Sequence, residues 1–347
     1  MHIIASDTHR LHNALELSQG KLDVSTESPS RATIIADALK ASGYVLEAPD
    51  SLDLKLLNRV HDPDYVEFLS TAWDRWHKRY SDSSSAMAFT WPARGFSSIR
   101  PEDLVGQLGY YSFSADSSIV EGTWAAVTDA AAMAQTAADR VIRGASSSYA
   151  LCRPPGHHAG KNQFGGYCFL NNSAVAAQRL RDSGHSRVAV LDIDYHHGNG
   201  TQNIFYSRSD VLTISIHADP AEEFPWFAGR ASEAGEGEGL GWNLNLPLPR
   251  GTLLPEWKNT LGKAFKRIEE AQASAVVVAL GVDTYVNDPL GTFTLDTDDY
   301  SRIAATIQQL GLPTVIVQEG GYAVDAIGRN VAAFLEPFND SLNEQEQ

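Results

Sequence analysis

Short runs of β-branched and aliphatic residues recur along the chain, each ending at Gly, Asp, His or Pro and separated from the next by helix-length segments. Runs at residues 2–5, 148–153, 187–194, 211–217, 275–281 and 314–319 are apolar through their middles, as strands buried on both faces are. Helix-forming composition fills 30–42, 123–143, 171–182, 255–272, 297–310 and 324–335, with Thr123 placed to cap and Pro255 suited to a first helical turn. This alternation predicts a single α/β domain on a parallel sheet covered on both faces. Two stretches break the rhythm. Residues 73–120 are rich in Ser, Gly and aromatics, too long for a structureless loop unless function or a partner orders them. Residues 220–249 carry Glu-Gly repeats and read as loop over the edge of a site, and the polar tail after Pro337 reads as frayed.

Composition narrows the class. With 347 residues, 43% hydrophobic and 20% charged, the chain buries an ordinary core and is neither disordered, collagen-like nor a disulfide scaffold. Lys and Arg number 27 against 43 Asp and Glu, a net charge of −16, so the field repels nucleic acid and anionic membrane and favours cationic partners. Two cysteines, Cys152 and Cys168, make no disulfide framework and point to a reducing compartment. The first residues lack the basic and apolar regions of a leader, and the longest apolar run, 275–280, is too short to span a bilayer. The expected location is the cytoplasm.

Candidate chemistry gathers where strands end. In RVAVLDIDYHHGNG at 187–200, residues two apart share a face, which aligns Asp192, Asp194 and His196 at the carboxyl end of a strand, where α/β sheets bind ligands. Paired buried carboxylates need cations or hydrogen bonds, so the motif reads either as a divalent-metal site or as an ion-paired capping cluster. Asp283 leaves another strand and is either a third ligand or a helix cap. Three protein ligands leave positions open for water and substrate, as catalytic sites do. His157 and His158 follow a third strand in a Pro-Gly turn that would hold two imidazoles for acid–base work, although adjacent histidines are also often incidental. Tyr322, after Gly320 and Gly321, is either an oxyanion-directed hydroxyl or a surface aromatic.

Taken together, RPPGHHAG at 153–160, FGGYCFLNN at 164–172, VLDIDYHHGNGTQ at 190–202, SIHADP at 215–220, LGVDTYVNDPL at 280–290 and QEGGY at 318–322 resemble the zinc-dependent histone deacetylase superfamily in order and spacing. The likeness runs from HDPDYVEFL at 61–69 to the last helix, and FLSTAWDRW at 68–76 with GQLGYY at 106–111 is similar to the bacterial acetylpolyamine amidohydrolase branch. It implies an arginase/deacetylase-like three-layer α/β/α domain with a central eight-stranded parallel sheet. It also implies zinc on Asp194, His196 and Asp283, tandem imidazoles His157 and His158 beside the attacking water, and Tyr322 as carbonyl polariser. Asp192 would support His157. Asn199 would support His158 where many relatives carry Asp, and an amide supplies no charge to raise an imidazole pKa.

By the same resemblance, Gly166, Tyr167 and Phe224 line a channel for an aliphatic chain ending in acetamide, and Leu290 is an outer contact. Structural potassium is implied near Asp192, Asp194, His196 and Ser215, and again near Phe205, Arg208, Val211 and Trp242. In this branch the insertion mediates a homodimer whose acidic residues meet the substrate's ammonium. Asp116 matches one such acid, whereas Val105 stands where another is expected. The expected activity is hydrolysis of small acetylated amines such as acetylputrescine, acetylcadaverine or acetylspermidine. The runner-up is a deacylase of acetyllysine in proteins. A non-catalytic polyamine sensor is disfavoured by the complete set of candidate residues, and a binuclear manganese hydrolase by too few carboxylates and histidines.

Overall fold

The computed structural model describes residues 1–339. Ten strands form within it: β1 (His2–Ile4), β2 (Leu15–Ser18), β3 (Lys21–Val24), β4 (Leu46–Glu47), β5 (Ser147–Ala150), β6 (Val188–Asp192), β7 (Val211–Ala218), β8 (Asn243–Leu248), β9 (Ala275–Leu280) and β10 (Thr314–Gln318). Eight of them make one parallel sheet in the order β4-β1-β5-β10-β9-β6-β7-β8, and β2 with β3 makes a separate antiparallel hairpin. The helices are α1 (Ser30–Ala41), α2 (Leu54–Leu57), α3 (Pro63–Arg79), α4 (Leu104–Tyr111), α5 (Thr123–Ile142), α6 (Asn172–Asp182), α7 (Asn199–Phe205), α8 (Leu254–Ala271), α9 (Thr297–Gln308) and α10 (Ile327–Leu335).

Strand alternation sorts the chain into two cores. Val188 and Val190 of β6 face one way with Val277 of β9 and Val315 of β10, and residues of α2 to α7 cover them. Ala189 and Leu191 face the other way with Val276, Val278 and Ile316, under α1, α8, α9 and α10. The result is the expected three-layer α/β/α arrangement with a fully buried parallel sheet. Because every strand in it runs the same way, the carboxyl ends of the neighbours β5, β10, β9 and β6 open onto one edge.

Several predicted boundaries change. The run at 187–194 stops pairing at Asp192, whose Oδ1 accepts the Asp194 amide at 3.1 Å, so Asp194 and His196 lie in the loop beyond the strand instead of continuing its alternation. Within 220–249, residues Asn243–Leu248 form an edge strand, not loop. One face carries asparagines: Asn243 and Asn245 are buried and donate to Gln202 Oε1 at 3.0 and 2.8 Å, while Leu244, Leu246 and Leu248 pack on the other, so the strand lacks the continuous apolar run of its neighbours. Helix α3 crosses Trp73 and ends at Arg79, and α4 lies inside the supposed loop at 73–120. The intervening chain is ordered by Ala86 and Ile119, which exchange backbone hydrogen bonds at 2.8 and 2.9 Å. The predicted frayed tail begins later than Pro337, since Phe338 is buried at the end of a 3₁₀ turn; its remainder past Asn339 lies outside the described residues.

A buried ion cluster ties α1 and the segment before it to the turn after β5. Glu27 Oε1 accepts from Arg31 Nη1 at 2.6 Å and from Arg153 Nε at 2.9 Å, with all three side chains at most 2% exposed. Removing one member of such a cluster leaves uncompensated charge in a low-dielectric interior. Glu27→Ala should therefore lower the unfolding free energy by about 3–5 kcal/mol, measured as a shift in urea midpoint, and a loss below about 1 kcal/mol would show the two guanidiniums to be satisfied without it.

Candidate active site

The loop after β6 and the loop after β9 bring Asp194, His196 and Asp283 together, with one ligand-type atom from each within 4.8 Å of the others. Backbone amides aim the carboxylates. Asp194 Oδ2 accepts the Gly320 amide at 2.8 Å, Asp194 Oδ1 the His196 amide at 2.9 Å, and Asp283 Oδ1 the Tyr195 amide at 2.9 Å. His196 Nδ1 stands 3.0 Å from Asp283 Oδ2 and 3.3 Å from Asp194 Oδ1. Glycine makes the approach possible: a Cβ on Gly320 would lie 2.6 Å from both Asp194 Oδ2 and Asp283 Oδ2. Both carboxylates are 0% exposed. Burial, with Asp194 nearby, pushes Asp283 up to about 7, whereas His157 and His196 overcome burial and hold Asp194 well below the carboxylate range. Against its own burial, His196 is raised to about 10 by the two acids. A divalent cation would satisfy this set of two hard oxygen donors and one imidazole, and the donor chemistry fits zinc.

The tandem histidines stand in the turn after β5, ring centroids 4.0 Å apart, and their environments differ in sign. His157 Nδ1 contacts Asp192 Oδ2 at 2.9 Å, and His158 Nδ1 contacts Asn199 Oδ1 at 2.6 Å. Burial opposes charge on both. At His157 the carboxylates of Asp194, Asp192 and Glu319 outweigh it and raise the pKa well above the ordinary value. At His158 burial is reinforced by His157 and His196, so the imidazole is held neutral far below its ordinary pKa. Tyr322 closes the group from the segment after β10: its amide donates to Asp288 Oδ2 at 2.6 Å and its ring lies under the Arg31 guanidinium at 4.7 Å. Burial raises its hydroxyl well above the ordinary tyrosine value, only partly offset by Arg31, so the phenol stays a donor.

A cavity of about 720 Å³ opens from this group to solvent, lined by His158, His196 and Tyr322 and by the predicted channel residues Asp116, Gly166, Tyr167, Phe224 and Leu290. Phe224 meets the His158 ring edge-on at 5.0 Å, and Tyr167 lies 5.8 Å from Tyr322. Gly166, at φ +57°, has no alternative, since a Cβ there would come within 2.4 Å of the His158 ring. Asp116 Oδ1 accepts from Ser114 Oγ, Ser117 Oγ and the Gly166 amide at 2.7, 2.7 and 2.9 Å, so this acid also buttresses the channel wall. Sequence reasoning missed Glu16, Glu223 and Arg250, which line the same cavity. Glu16 is 6% exposed on β2 and accepts from Thr26 Oγ1 at 3.1 Å, while Arg250 Nε donates to Glu223 Oε1 at 2.5 Å. Nothing local in the sequence marked Glu16 or the Glu223–Arg250 pair.

The residues implied for potassium divide into two places. Asp192 and Ser215 face each other in register on β6 and β7. Phe205 and Arg208 lie at the end of α7 and just past it, near the start of β7 at Val211, and the Trp242 carbonyl accepts the Thr213 amide at 3.0 Å. Among the described residues no helix is long and apolar enough to cross a membrane.

Comparison with known proteins agrees with this arrangement. Residues 25–338 match the histone deacetylase domain. The chain is 46% identical over 337 residues to acetylpolyamine amidohydrolase 2 of Pseudomonas aeruginosa, covering 96% of this chain and 98% of that protein. It is 47% identical over 338 residues to the acetylpolyamine amidohydrolase of Mycoplana ramosa, covering 97% and 99%. The crystal structure of the acetylpolyamine aminohydrolase from Burkholderia pseudomallei superposes with a TM-score of 0.92 at 38% identity, covering 98% of this chain and 99% of that one. A domain match across most of the chain, near-complete alignment with these relatives and a shared eight-stranded architecture establish that the chain belongs to the histone deacetylase family.

Proposed function

We propose that this protein hydrolyses the acetamide of small acetylated polyamines or diamines to acetate and free amine. One observation carries the reading: the cavity that ends at His158, His196 and Tyr322 is also lined by three acids, Glu16, Asp116 and Glu223, and by the aromatics Tyr167 and Phe224. Such a cavity receives an aliphatic chain bearing a cation. The activity carried in the names of the full-length relatives supports the same substrate class.

In this reading Asp194, His196 and Asp283 hold one zinc ion, which supplies Lewis acidity toward the acetamide oxygen and the attacking water. His158, neutral and next to the cavity, takes the proton of the attacking water and returns it to the leaving amine. His157, hydrogen-bonded to Asp192, stays cationic and offsets the acids around the centre. Tyr322 donates a hydrogen bond from its hydroxyl to the carbonyl oxygen as negative charge grows there and keeps its proton. Tyr167 and Phe224 flank the methylene chain, the Gly166 carbonyl faces it, and Leu290 borders the outer end. Potassium ions at the two implied places, one including Asp192 and Ser215 and one including Phe205, Arg208, Val211 and Trp242, would reinforce the loops after β6 and α7. The segment between α3 and α4 exposes Phe89, Phe96 and Ile99 and suits a homodimer contact. The buried thiols of Cys152 and Cys168 suit a reducing compartment, the cytoplasm.

Three measurements test this reading. Tyr322→Phe should lower kcat about 10²- to 10³-fold with metal content unchanged, as loss of one oxyanion donor does, and wild-type turnover would remove Tyr322 from the chemistry. Asn199→Asp places a carboxylate against His158 Nδ1, which favours the imidazolium; the pKa rises, the neutral base is lost at higher pH, and the acid limb of kcat/KM should move up by about 1 unit or more. An unmoved limb would deny His158 the role of base. With acetylputrescine, acetylcadaverine, acetylspermidine and an acetyllysine peptide compared side by side, kcat/KM should favour the free amines by about tenfold or more, about 1.4 kcal/mol of discrimination. Preference for the peptide would install the protein-deacylase reading.

A further inference from the structure

We propose that Glu319 is a positioning residue that ties the tandem-histidine turn to the Tyr322 segment and so sets the spacing between the two halves of the catalytic group. Its carboxylate is 0% exposed, and both oxygens are engaged. Oε2 accepts the Gly156 amide at 2.6 Å and the His157 amide at 3.0 Å, and Oε1 accepts Ser173 Oγ at 2.7 Å from the first turn of α6. The backbone of the same residue is held equally firmly. Its amide donates to the Leu280 carbonyl at 2.8 Å, extending the β9–β10 ladder, and its carbonyl accepts Arg31 Nη2 at 2.8 Å. The next residue, Gly320, donates to Asp194 Oδ2, and Tyr322 follows two residues later.

One residue therefore links β9, β10, α6 and the histidine turn, and it is not among the residues that line the cavity. His157, Cys168 and Glu319 also form a buried cluster of metal-ligand type, with atoms within 4.8 Å. Within that cluster the Glu319 oxygens act as acceptors for three N–H and O–H donors. Retaining a carboxylate here is costly, since burial pushes Glu319 up to about 7. An anion nevertheless provides the strong, multiply directed acceptor that two adjacent amides and a hydroxyl require. Displacement of a reacting group by about 1 Å is enough to reduce rates by about 10²-fold, so the tie matters to turnover more than to substrate affinity.

The proposal rests on the roles assigned above to His158 and Tyr322, and the wild-type assay tests those roles independently. Inactivity of the wild type on every acetylated amine would sink the function reading itself. With wild-type turnover in hand, Glu319→Leu should lower kcat for acetylputrescine about 30- to 100-fold per mole of folded, metal-loaded enzyme, with KM within about threefold. Glu319→Gln keeps an acceptor oxygen for both amides and should return to within about fivefold of wild type. Retention of kcat in Glu319→Leu, or a rise in KM matching the fall in kcat, would overturn the proposal. Should Glu319→Leu fail to fold, Ser173→Ala decides: loss of the hydroxyl on Oε1 should lower kcat about three- to tenfold at constant KM, and unchanged kcat would refute the tie.

Discussion

Two carboxylates with no exposed surface, Asp194 and Asp283, meet one imidazole at the end of a parallel sheet, and their mutual repulsion is the constraint the rest of the site answers. Desolvated like charges at this separation are tolerated only with donors and cations arranged around them. The structure supplies donors from the backbone amides of Gly320, His196 and Tyr195. It leaves a face of the cluster toward the cavity, where His196 and the two acids converge. Parallel topology is what makes this feasible, because β6, β9 and β10 deliver their loops to the same edge in register.

The same constraint divides the tandem histidines. His157 looks into the acids and is driven toward the cationic form; His158 looks toward His157, His196 and an uncharged Asn199 and is driven toward the neutral form. Two identical side chains in consecutive positions thereby acquire opposite proton affinities from surroundings alone. A neutral imidazole next to the cavity and a cationic one behind it follow directly. Asn199 is the decisive detail, for its side chain orients the His158 ring without adding the charge that would keep the ring protonated.

Much of this was legible along the chain because parallel strands buried on both faces write themselves as apolar runs, and because Pro, Gly, His and Asp cluster where those runs stop. The candidate metal group, both imidazoles and Tyr322 all lay within a few residues of a predicted strand end. What escaped prediction obeys other rules. Strand β8 was hidden by Asn243 and Asn245, whose burial is repaid through Gln202 and not through apolar contact. Helix α4 and the hairpin β2–β3 depend on tertiary contacts, the first on packing beneath α3, the second on Leu17, whose amide donates to the Ala115 carbonyl at 3.0 Å. Glu16 and the Glu223–Arg250 pair belong to the cavity only through long-range folding, so no local pattern identified them.

The cavity wall also shows why a strongly negative chain need not present free acids to its substrate. Asp116 spends its Oδ1 on Ser114, Ser117 and the Gly166 amide, Glu16 holds Ser25 and Thr26, and Glu223 is paired with Arg250 at the rim. Each carboxylate is structural in its hydrogen bonds and electrostatic in its field, and a hydrogen bond from a neutral hydroxyl or amide leaves the net charge in place. Glu16 and Asp116 thus shape the wall, with burial raising the Asp116 pKa against the pull of its hydrogen bonds, whereas Arg250 cancels much of Glu223. Under the proposed activity, any selection for cations would be strongest inward of the Glu223–Arg250 pair, in the half-enclosed part of the cavity where solvent screening is weakest.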